Sequence, residues 1–179
     1  LHDTCRRQRQ MCIRDRIPVV KAWCTDTGLA ITSTNIQVHG GMGFMEETGA
    51  GQHYRDARIT TIYEGTNGVQ AMDLLGRKIV RDGGEAAQIF MAKVEKTIDQ
   101  LDLKIESHAS LSKHLKDSIG ALRETVDWML DTFKLEPGYA AAGATALVEM
   151  MGLISGGWML ARGAIEASRQ ISDGSGDPK

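Results

Sequence analysis

The spacing of apolar residues along the chain predicts α-helices. Between residues 17 and 38, intervals of three, four and seven separate the apolar positions Ile17, Val20, Cys24, Ile31 and Val38. Such intervals place side chains on one face of a helix, and Pro18 lies in the first turn, where a helix tolerates proline. Strand-forming residues nowhere alternate with polar ones over a long stretch. We therefore predict a helix over residues 17–38 and an all-α fold.

A cluster of glycines follows this helix: Gly40, Gly41, Gly43, Gly49 and Gly51. Glycine ends helices readily because it adopts positive φ without a steric penalty. A second, shorter helix is predicted over residues 48–58. Thr66 or Asn67 is predicted to cap a third helix that runs to about residue 80. Residues 81–84, Arg-Asp-Gly-Gly, are predicted to form a linker.

Beyond residue 84 the apolar spacing becomes longer and more regular. Intervals of three and four run from residue 87 to 105, and similar intervals run from 111 to 133. These intervals predict two amphipathic helices with a turn at residues 107–110.

The sequence Glu-Pro-Gly at residues 136–138 separates the second of these helices from another, which is predicted to run to about residue 171. Small side chains at residues 140–144 are predicted to let this last helix approach another closely. Short connections between long helices predict antiparallel neighbours in a bundle.

The chain divides into four predicted segments. Residues 1–16 contain five arginines and two aspartates without a usable period, so we expect a disordered arm or sequence foreign to the protein. A nucleic-acid-binding or targeting arm is the alternative. Residues 17–80 and 85–172 are predicted to form two helical domains, an antiparallel bundle followed by a second bundle. Residues 173–179 are predicted to be a disordered tail.

Composition and charge exclude several classes of function. The 179 residues are 42% hydrophobic and 25% charged, which is typical of a chain that folds around a core. Lys and Arg number 21 against 23 Asp and Glu, so no global basic field attracts nucleic acid. The absence of a long apolar run predicts no transmembrane segment. Three cysteines without a Cys-x-x-Cys motif predict no disulfide framework and a cytoplasmic location.

Candidate chemistry concentrates between residues 37 and 70, where Glu64 follows Ile62 and Tyr63. Two environments are consistent with this order. In a partly apolar environment, burial would raise the pKa of the Glu64 carboxyl toward that of a general base. Otherwise Glu64 is an exposed glutamate at a helix start, where the helix dipole favours it. The glycines at 40–43 either approach a phosphate or simply end a helix, and no strand precedes them to favour a dinucleotide-binding fold.

Other titratable groups in this region give weaker predictions. His39 and His53, with two glutamates between them, do not match a metal-ligand spacing, so no metal is predicted. Arg55 and Arg58 are expected to form an ion-pair network with Asp56.

The segment from 85 to 172 offers no convergent set of catalytic groups. Its acids and bases fall mostly off the apolar stripes, and His108 and His114 are expected on the solvated surface.

Three blocks of sequence resemble the C-terminal helical domain of the acyl-CoA dehydrogenase family. They are Gln-Val-His-Gly-Gly-Met-Gly-Phe at 37–44, Tyr-Arg-Asp-Ala-Arg-Ile at 54–59, and Ile-Tyr-Glu-Gly-Thr-Asn-Gly-Val-Gln at 62–70. The resemblance covers residues 17–80. The following bundle resembles the additional C-terminal helical domain of longer bacterial members, including those that act on methylthio-substituted acyl-CoA. The family resemblance implies an all-α fold and a bacterial cytoplasmic protein.

The resemblance implies specific roles in the family's reaction. Glu64 matches the catalytic base, which takes the α-proton of an acyl-CoA thioester while the β-hydride passes to FAD, giving a trans-2-enoyl-CoA. Gly65 matches a residue that lies against substrate, and Thr66, Asn67 and Gly68 match the run that touches flavin. Gly68 departs from members that carry a side chain there. The stretch that reaches the FAD of a neighbouring subunit corresponds to Gln37, Val38, His39, Gly40 and Gly41.

The resemblance also implies partners. These are FAD, an acyl-CoA substrate, a homo-oligomer (dimer or tetramer) that shares its FAD sites, and an electron-transferring flavoprotein. Two alternatives stay open: an acyl-CoA oxidase, which uses the same base, and a non-catalytic helical assembly module. The family's N-terminal helical domain and middle β-domain have no counterpart in these residues. We therefore expect a fragment that is inactive by itself.

Overall fold

A computed structural model describes residues 17–174, and these residues form helices joined by turns, with no strand among them. The all-α prediction is confirmed. The predictions for residues 1–16 and for most of the tail lie outside the described residues. Along the described part of the chain the α-helices are α1 Ile17–Val38, α2 Gly41–Phe44, α3 Ala50–Thr60, α4 Asn67–Asp73, α5 Glu85–Ile98, α6 Glu106–Leu135, α7 Pro137–Ala142 and α8 Ala144–Ser172.

The first half of the described chain folds largely as its local sequence predicts. Helix α1 has the predicted bounds, and Gly40 follows its end with φ +58°. Thr66 caps α4, because its hydroxyl accepts a hydrogen bond from the backbone N–H of Val69. After α4 the helix widens into π-helical geometry over Leu74–Val80, with Leu74, Leu75 and Ile79 buried. Helix α1 packs against both α3 and α4.

The connection between α5 and α6 lies at residues 99–105, so the turn predicted at 107–110 is wrong. Leu101 follows the end of α5 but is only 6% exposed, so the apolar spacing continues past the helix. The Asp102 carboxylate accepts a hydrogen bond from the Lys104 N–H, and the Asp102 N–H donates to the ring of His108. These bonds stabilise a turn that the apolar spacing of the sequence does not indicate.

The last predicted helix is interrupted at Gly143, which separates α7 from α8. Its N–H donates to the Ala140 carbonyl at 3.1 Å, which tightens the chain at this point. A Cβ atom at Gly143 would lie 2.9 Å from Cε of Met129 on α6, so α6 and this part of the chain approach closely. Ala140 and Ala144 are buried beside it. The close approach predicted for these small residues is confirmed, although the continuous helix is not.

One continuous apolar core joins the two predicted segments. It extends from Val19 and Ala22 on α1, through Leu74 and Leu75, to the buried faces of α5, α6 and α8. Helix α8 packs against α1, α4 and α6. The residues before and after the 81–84 linker therefore stabilise each other directly.

Helix α8 is the one helix in residues 17–174 that is long and apolar enough to cross a membrane. Its 29 residues include an 18-residue window with a mean hydropathy of 1.3, and 44% of that window is buried inside the protein. A helix that belongs to a protein core has the same properties. Length and composition alone do not establish a membrane span.

Candidate functional site

The chain between α3 and α4 forms a strained turn over residues 61–66, which we call the Glu64 turn. Glu64 has φ +55° and is the only non-glycine residue with positive φ in the described part of the chain. Gly65 follows with φ +88°. Left-handed backbone costs a residue with a side chain about 1–2 kcal/mol. The fold therefore stores conformational strain at Glu64.

Hydrogen bonds from both sides hold this turn in place. The Asn67 N–H donates to the Thr61 carbonyl at 3.2 Å, and the Gln70 side-chain amide donates to the Glu64 carbonyl at 3.1 Å. From α1, the Lys21 ammonium group donates to the Gly65 carbonyl at 2.8 Å. The backbone on each side of the strained residue is thus restrained.

The Glu64 carboxylate itself has no partner among residues 17–174, and neither has the Glu64 backbone N–H. The side chain is exposed, as are those of Ile62 and Tyr63 before it. Of the two environments considered for Glu64, the described residues provide the exposed one. An acceptor and a donor at one residue are therefore both free to meet a ligand.

The three residues predicted to touch flavin differ in what their side chains do. Thr66 accepts from the Val69 N–H at 3.3 Å, while Gly68 is exposed. The Asn67 side chain instead lies against α1, where it donates to the Ala22 carbonyl at 3.1 Å and accepts from Lys21 at 2.7 Å. The structure therefore uses the Asn67 amide to attach the turn to α1.

The residues predicted to reach the FAD of a neighbouring subunit lie at the other end of α1 and are exposed: Gln37, Val38, His39, Gly40 and Gly41. The Cβ positions of Gly40 and Gly41 have no atom within 4 Å. Gln37 lies sixteen residues along α1 from Lys21, which at about 1.5 Å per residue is about 24 Å. One chain therefore does not bring this segment to its own Glu64 turn.

The ion pair in this region is between Arg55 and Glu46, and the predicted network with Asp56 is wrong. The Arg55 guanidinium donates to both Glu46 oxygens, at 3.0 and 2.8 Å. These hydrogen bonds, together with the charge of Glu46, raise the pKa of Arg55 above its usual value. Residues adjacent on a helix do not face each other, which explains why Arg55 turns to a partner nine positions away. Arg58 instead donates to the hydroxyl of Thr61.

His108 is buried, so its predicted place on the solvated surface is wrong. It is 3% exposed, its Nδ1 accepts from the Asp102 N–H at 3.3 Å, and its Nε2 lies 3.2 Å from the Ser168 hydroxyl. The sequence contained a signal for this burial, since intervals of four and three connect the buried positions of α6: His108, Ser112, Leu115, Ile119, Leu122, Val126 and Met129.

Lys21 belongs to the site although nothing in the sequence around it indicates this. Its acceptors lie 44 and 46 positions further along the chain, so no local pattern indicates them. In the described residues no group of three or more His, Cys, Asp and Glu side chains is arranged to hold a metal ion.

Two family matches follow one another along the chain. Residues 3–79 match the family described as acyl-CoA dehydrogenase, C-terminal domain, and residues 90–179 match the family described as acetyl-CoA dehydrogenase C-terminal like. The chain belongs to the acyl-CoA dehydrogenase family. The Glu64 turn and the exposed segment at 37–41 both lie within the first of these matched regions.

Several acyl-CoA dehydrogenases are similar to this chain. The 3-methylmercaptopropionyl-CoA dehydrogenase of Ruegeria pomeroyi is 37% identical over 94% of the chain and 29% of the relative. The broad-specificity linear acyl-CoA dehydrogenase FadE5 of Mycobacterium tuberculosis is 31% identical over 88% of the chain and 27% of the relative. The mitochondrial short-chain specific acyl-CoA dehydrogenase of Sus scrofa is 47% identical over 32% of the chain. The chain spans less than a third of the length of these relatives.

Proposed function

We propose that this chain is the C-terminal part of an FAD-dependent acyl-CoA dehydrogenase in which Glu64 is the base that takes the α-proton of the acyl thioester. The observation that supports this proposal most directly is the state of Glu64. Its carboxylate and its N–H are both unpartnered among the described residues, on a strained turn held by surrounding hydrogen bonds. Backbone strain of this kind concentrates at functional sites.

The two free groups of Glu64 suit the two requirements of α-proton abstraction. The carboxylate accepts the proton from the α-carbon. The backbone N–H donates to the thioester oxygen, where negative charge develops as the proton leaves, and such donors stabilise the transition state. Gly65, next in the chain, carries no side chain that would obstruct an acyl thioester at this position.

The backbone is exposed near the Glu64 turn and in the segment 37–41, which is compatible with contact to a flavin. Thr66 and Gly68 would contact the FAD beside Glu64, and Asn67 would contribute only its backbone, because its side chain bonds to α1. Residues 37–41 would contact the FAD of a second subunit, which accords with their distance from the Glu64 turn and with the open space at Gly40 and Gly41. When bound, FAD accepts the β-hydride of the acyl chain.

The wider setting follows from the same proposal. We propose a cytoplasmic homo-oligomer, a dimer or a tetramer, that passes its electrons to an electron-transferring flavoprotein. The names of the two longest-matching relatives indicate the substrates to assay first, namely 3-methylmercaptopropionyl-CoA and linear acyl-CoA thioesters.

Two alternatives are separable from this proposal. An acyl-CoA oxidase would use the same base, so its distinguishing property is rapid reoxidation of the substrate-reduced protein by oxygen in stopped-flow measurements. A helical assembly module would need no free carboxylate at residue 64, and it would bind no acyl-CoA.

The deciding experiment is Glu64→Gln in the complete protein that carries this chain. We expect FAD to remain bound and turnover with acyl-CoA to fall about 10²–10⁴-fold, because the amide cannot accept the proton. Glu124→Gln, at an exposed position on α6, is the matched control and should keep full activity. Near-normal turnover in Glu64→Gln would remove Glu64 from its proposed role.

A further inference from the structure

We propose that Lys21 is a positioning residue for this reaction, whose ammonium group holds the Glu64 turn in the conformation that presents the carboxylate and N–H of Glu64. This inference rests on the proposed function, since it adds a residue to the same site. Lys21 lies on α1, distant in sequence from the turn, and it does not bond to Glu64 itself.

Lys21 connects α1 to Gly65 and Asn67, which lie one and three positions after the strained residue Glu64. Its Nζ donates to the Gly65 carbonyl at 2.8 Å and to the Asn67 side-chain oxygen at 2.7 Å. The residue is partly buried. Hydrogen bonds from a charged donor at these lengths are stronger than those between neutral groups.

Asn67 is in turn fixed on α1 by its amide nitrogen. This nitrogen donates to the Ala22 carbonyl at 3.1 Å and to the Thr25 hydroxyl at 3.0 Å. The Asn67 side chain therefore receives a bond from Lys21 and gives bonds to the next turn of the same helix. Gly65 and Asn67 closely follow Glu64 in the chain, so bonds that fix these two residues restrict the conformations open to Glu64.

The strained conformation of Glu64 explains why such bonds are needed. A residue with a side chain keeps a left-handed conformation only where its surroundings over-determine it. The bonds that the turn receives from α4, from Gln70 and from the Asn67 N–H, are neutral. Two charged donors reach the turn in the described residues. Arg58, at the adjoining end of α3, bonds to the Thr61 hydroxyl. Lys21 instead bonds to the carbonyl of Gly65, the residue next to Glu64, and comes from a helix distant in sequence.

The expected consequence for the reaction is a loss of rate more than of binding. A base displaced by about 1 Å from its productive position loses about 10²-fold in rate. Lys21→Met approximately keeps the length of the side chain but removes the ammonium group. The Gly65 carbonyl and the Asn67 side-chain oxygen then each lose a hydrogen-bond donor. The turn should then relax toward conformations that a glutamate prefers.

The first test measures the turn itself, by hydrogen–deuterium exchange on the complete protein. In Lys21→Met we expect the hydrogen-bonded amides of Ile62, Tyr63 and Asn67 to exchange about tenfold faster or more, because local opening becomes easier. Lys116→Met removes the same charge from an exposed position on α6 and should leave these amides unchanged. Unchanged exchange in Lys21→Met would overturn the inference.

The second test separates positioning from binding by anaerobic stopped-flow reduction of the bound FAD with acyl-CoA. In Lys21→Met we expect the rate at saturating substrate to fall about 10–100-fold, with the acyl-CoA Kd within about threefold of wild type. The FAD content should stay the same, and the kinetic isotope effect with α-deuterated substrate should not decrease. If the role of Lys21 were purely structural, Lys21→Met would instead lower FAD content and thermal stability, without a selective fall in the reduction rate at constant acyl-CoA Kd.

A second variant covers the case in which Lys21→Met does not retain FAD. The amide of Lys21→Gln can donate to one acceptor at a time, so we expect smaller changes in the same directions. If its exchange and reduction rates both stay within about twofold of wild type, the inference fails. If Glu64→Gln is inactive at the same time, the proposed function stands without Lys21. If Glu64→Gln retains turnover, the proposed function fails, and the positioning role fails with it.

Discussion

The indole ring of Trp23 on α1 packs against the backbone of Gly152 on α8, at a place where a Cβ atom would overlap the ring. One turn further along α8, a Cβ at Gly156 would lie 3.4 Å from the tip of the same ring. Two glycines on α8 thus leave room for one aromatic side chain from α1. Because α1 precedes the 81–84 linker and α8 follows it, this contact joins the two halves of the chain.

Gly152→Ala should therefore destabilise the protein. The added methyl group would force Trp23 or α8 to move, and overpacking of this kind costs about 1–3 kcal/mol in the free energy of unfolding. Denaturant unfolding would measure the change. Gly163→Ala on the same helix has nothing within 4 Å of the new atom and should be neutral or stabilising by up to about 1 kcal/mol. Equal stabilities of the two variants would contradict the close contact at Gly152.

Glu64→Gly should stabilise the protein while it removes the proposed base. Glycine adopts φ +55° without the steric cost that a side chain pays, and part of that gain is offset by the greater freedom of glycine in the unfolded chain. We expect a net gain of about 0.5–1 kcal/mol in denaturant unfolding. Glu64→Gln keeps the side chain and should leave the stability unchanged. A loss of stability in Glu64→Gly would show that the turn is not strained.

His108→Ala should cost about 2–4 kcal/mol in the free energy of unfolding, because it removes a buried ring and two hydrogen-bonding contacts at once. The Asp102 N–H would lose its acceptor, and the contact with Ser168 near the end of α8 would be lost. His114→Ala, at an exposed position on the same helix, should change the stability by less than about 0.5 kcal/mol. Similar values for both variants would argue against the buried position of His108.

Glu166 near the end of α8 should titrate below an ordinary glutamate. Hydrogen bonds from Arg169 and then from Gln170 lower the pKa of its carboxyl. A lowered pKa means that the folded state favours the charged form. Its contribution to stability is therefore complete above the ordinary glutamate pKa and is lost as the pH falls through the lowered value.

An NMR titration checks this assignment. Arg169→Met should raise the pKa of Glu166 toward its ordinary value, because the larger of the two causes is removed. Lys134→Met removes a cation whose partner is Asp131 and should leave the titration of Glu166 unchanged. A Glu166 pKa that does not respond to Arg169→Met would contradict the hydrogen bonds at 3.0 and 3.1 Å.

Features with local causes were predictable from the sequence. The bounds of α1 and the capping of α4 by Thr66 each depend on residues within one or two turns of one another. The errors arose where a tertiary contact reproduced or interrupted a local pattern. Leu101 is buried beyond the end of α5 and so extends the apolar spacing, while the last helix is interrupted at Gly143, where the chain lies close to Met129 of α6.

The sequence by itself determined that this chain is helical, and its three family blocks indicated the acyl-CoA dehydrogenase family and Glu64 as the residue of interest. Only the tertiary structure decided that Glu64 has left-handed backbone, that its carboxylate and N–H have no partner within residues 17–174, and that Lys21 bonds to the turn from 44 positions away. The physical reason is the distance along the chain over which each kind of interaction acts. Helix periodicity and capping act over three or four residues, whereas a hydrogen bond between two helices depends on how the whole chain packs.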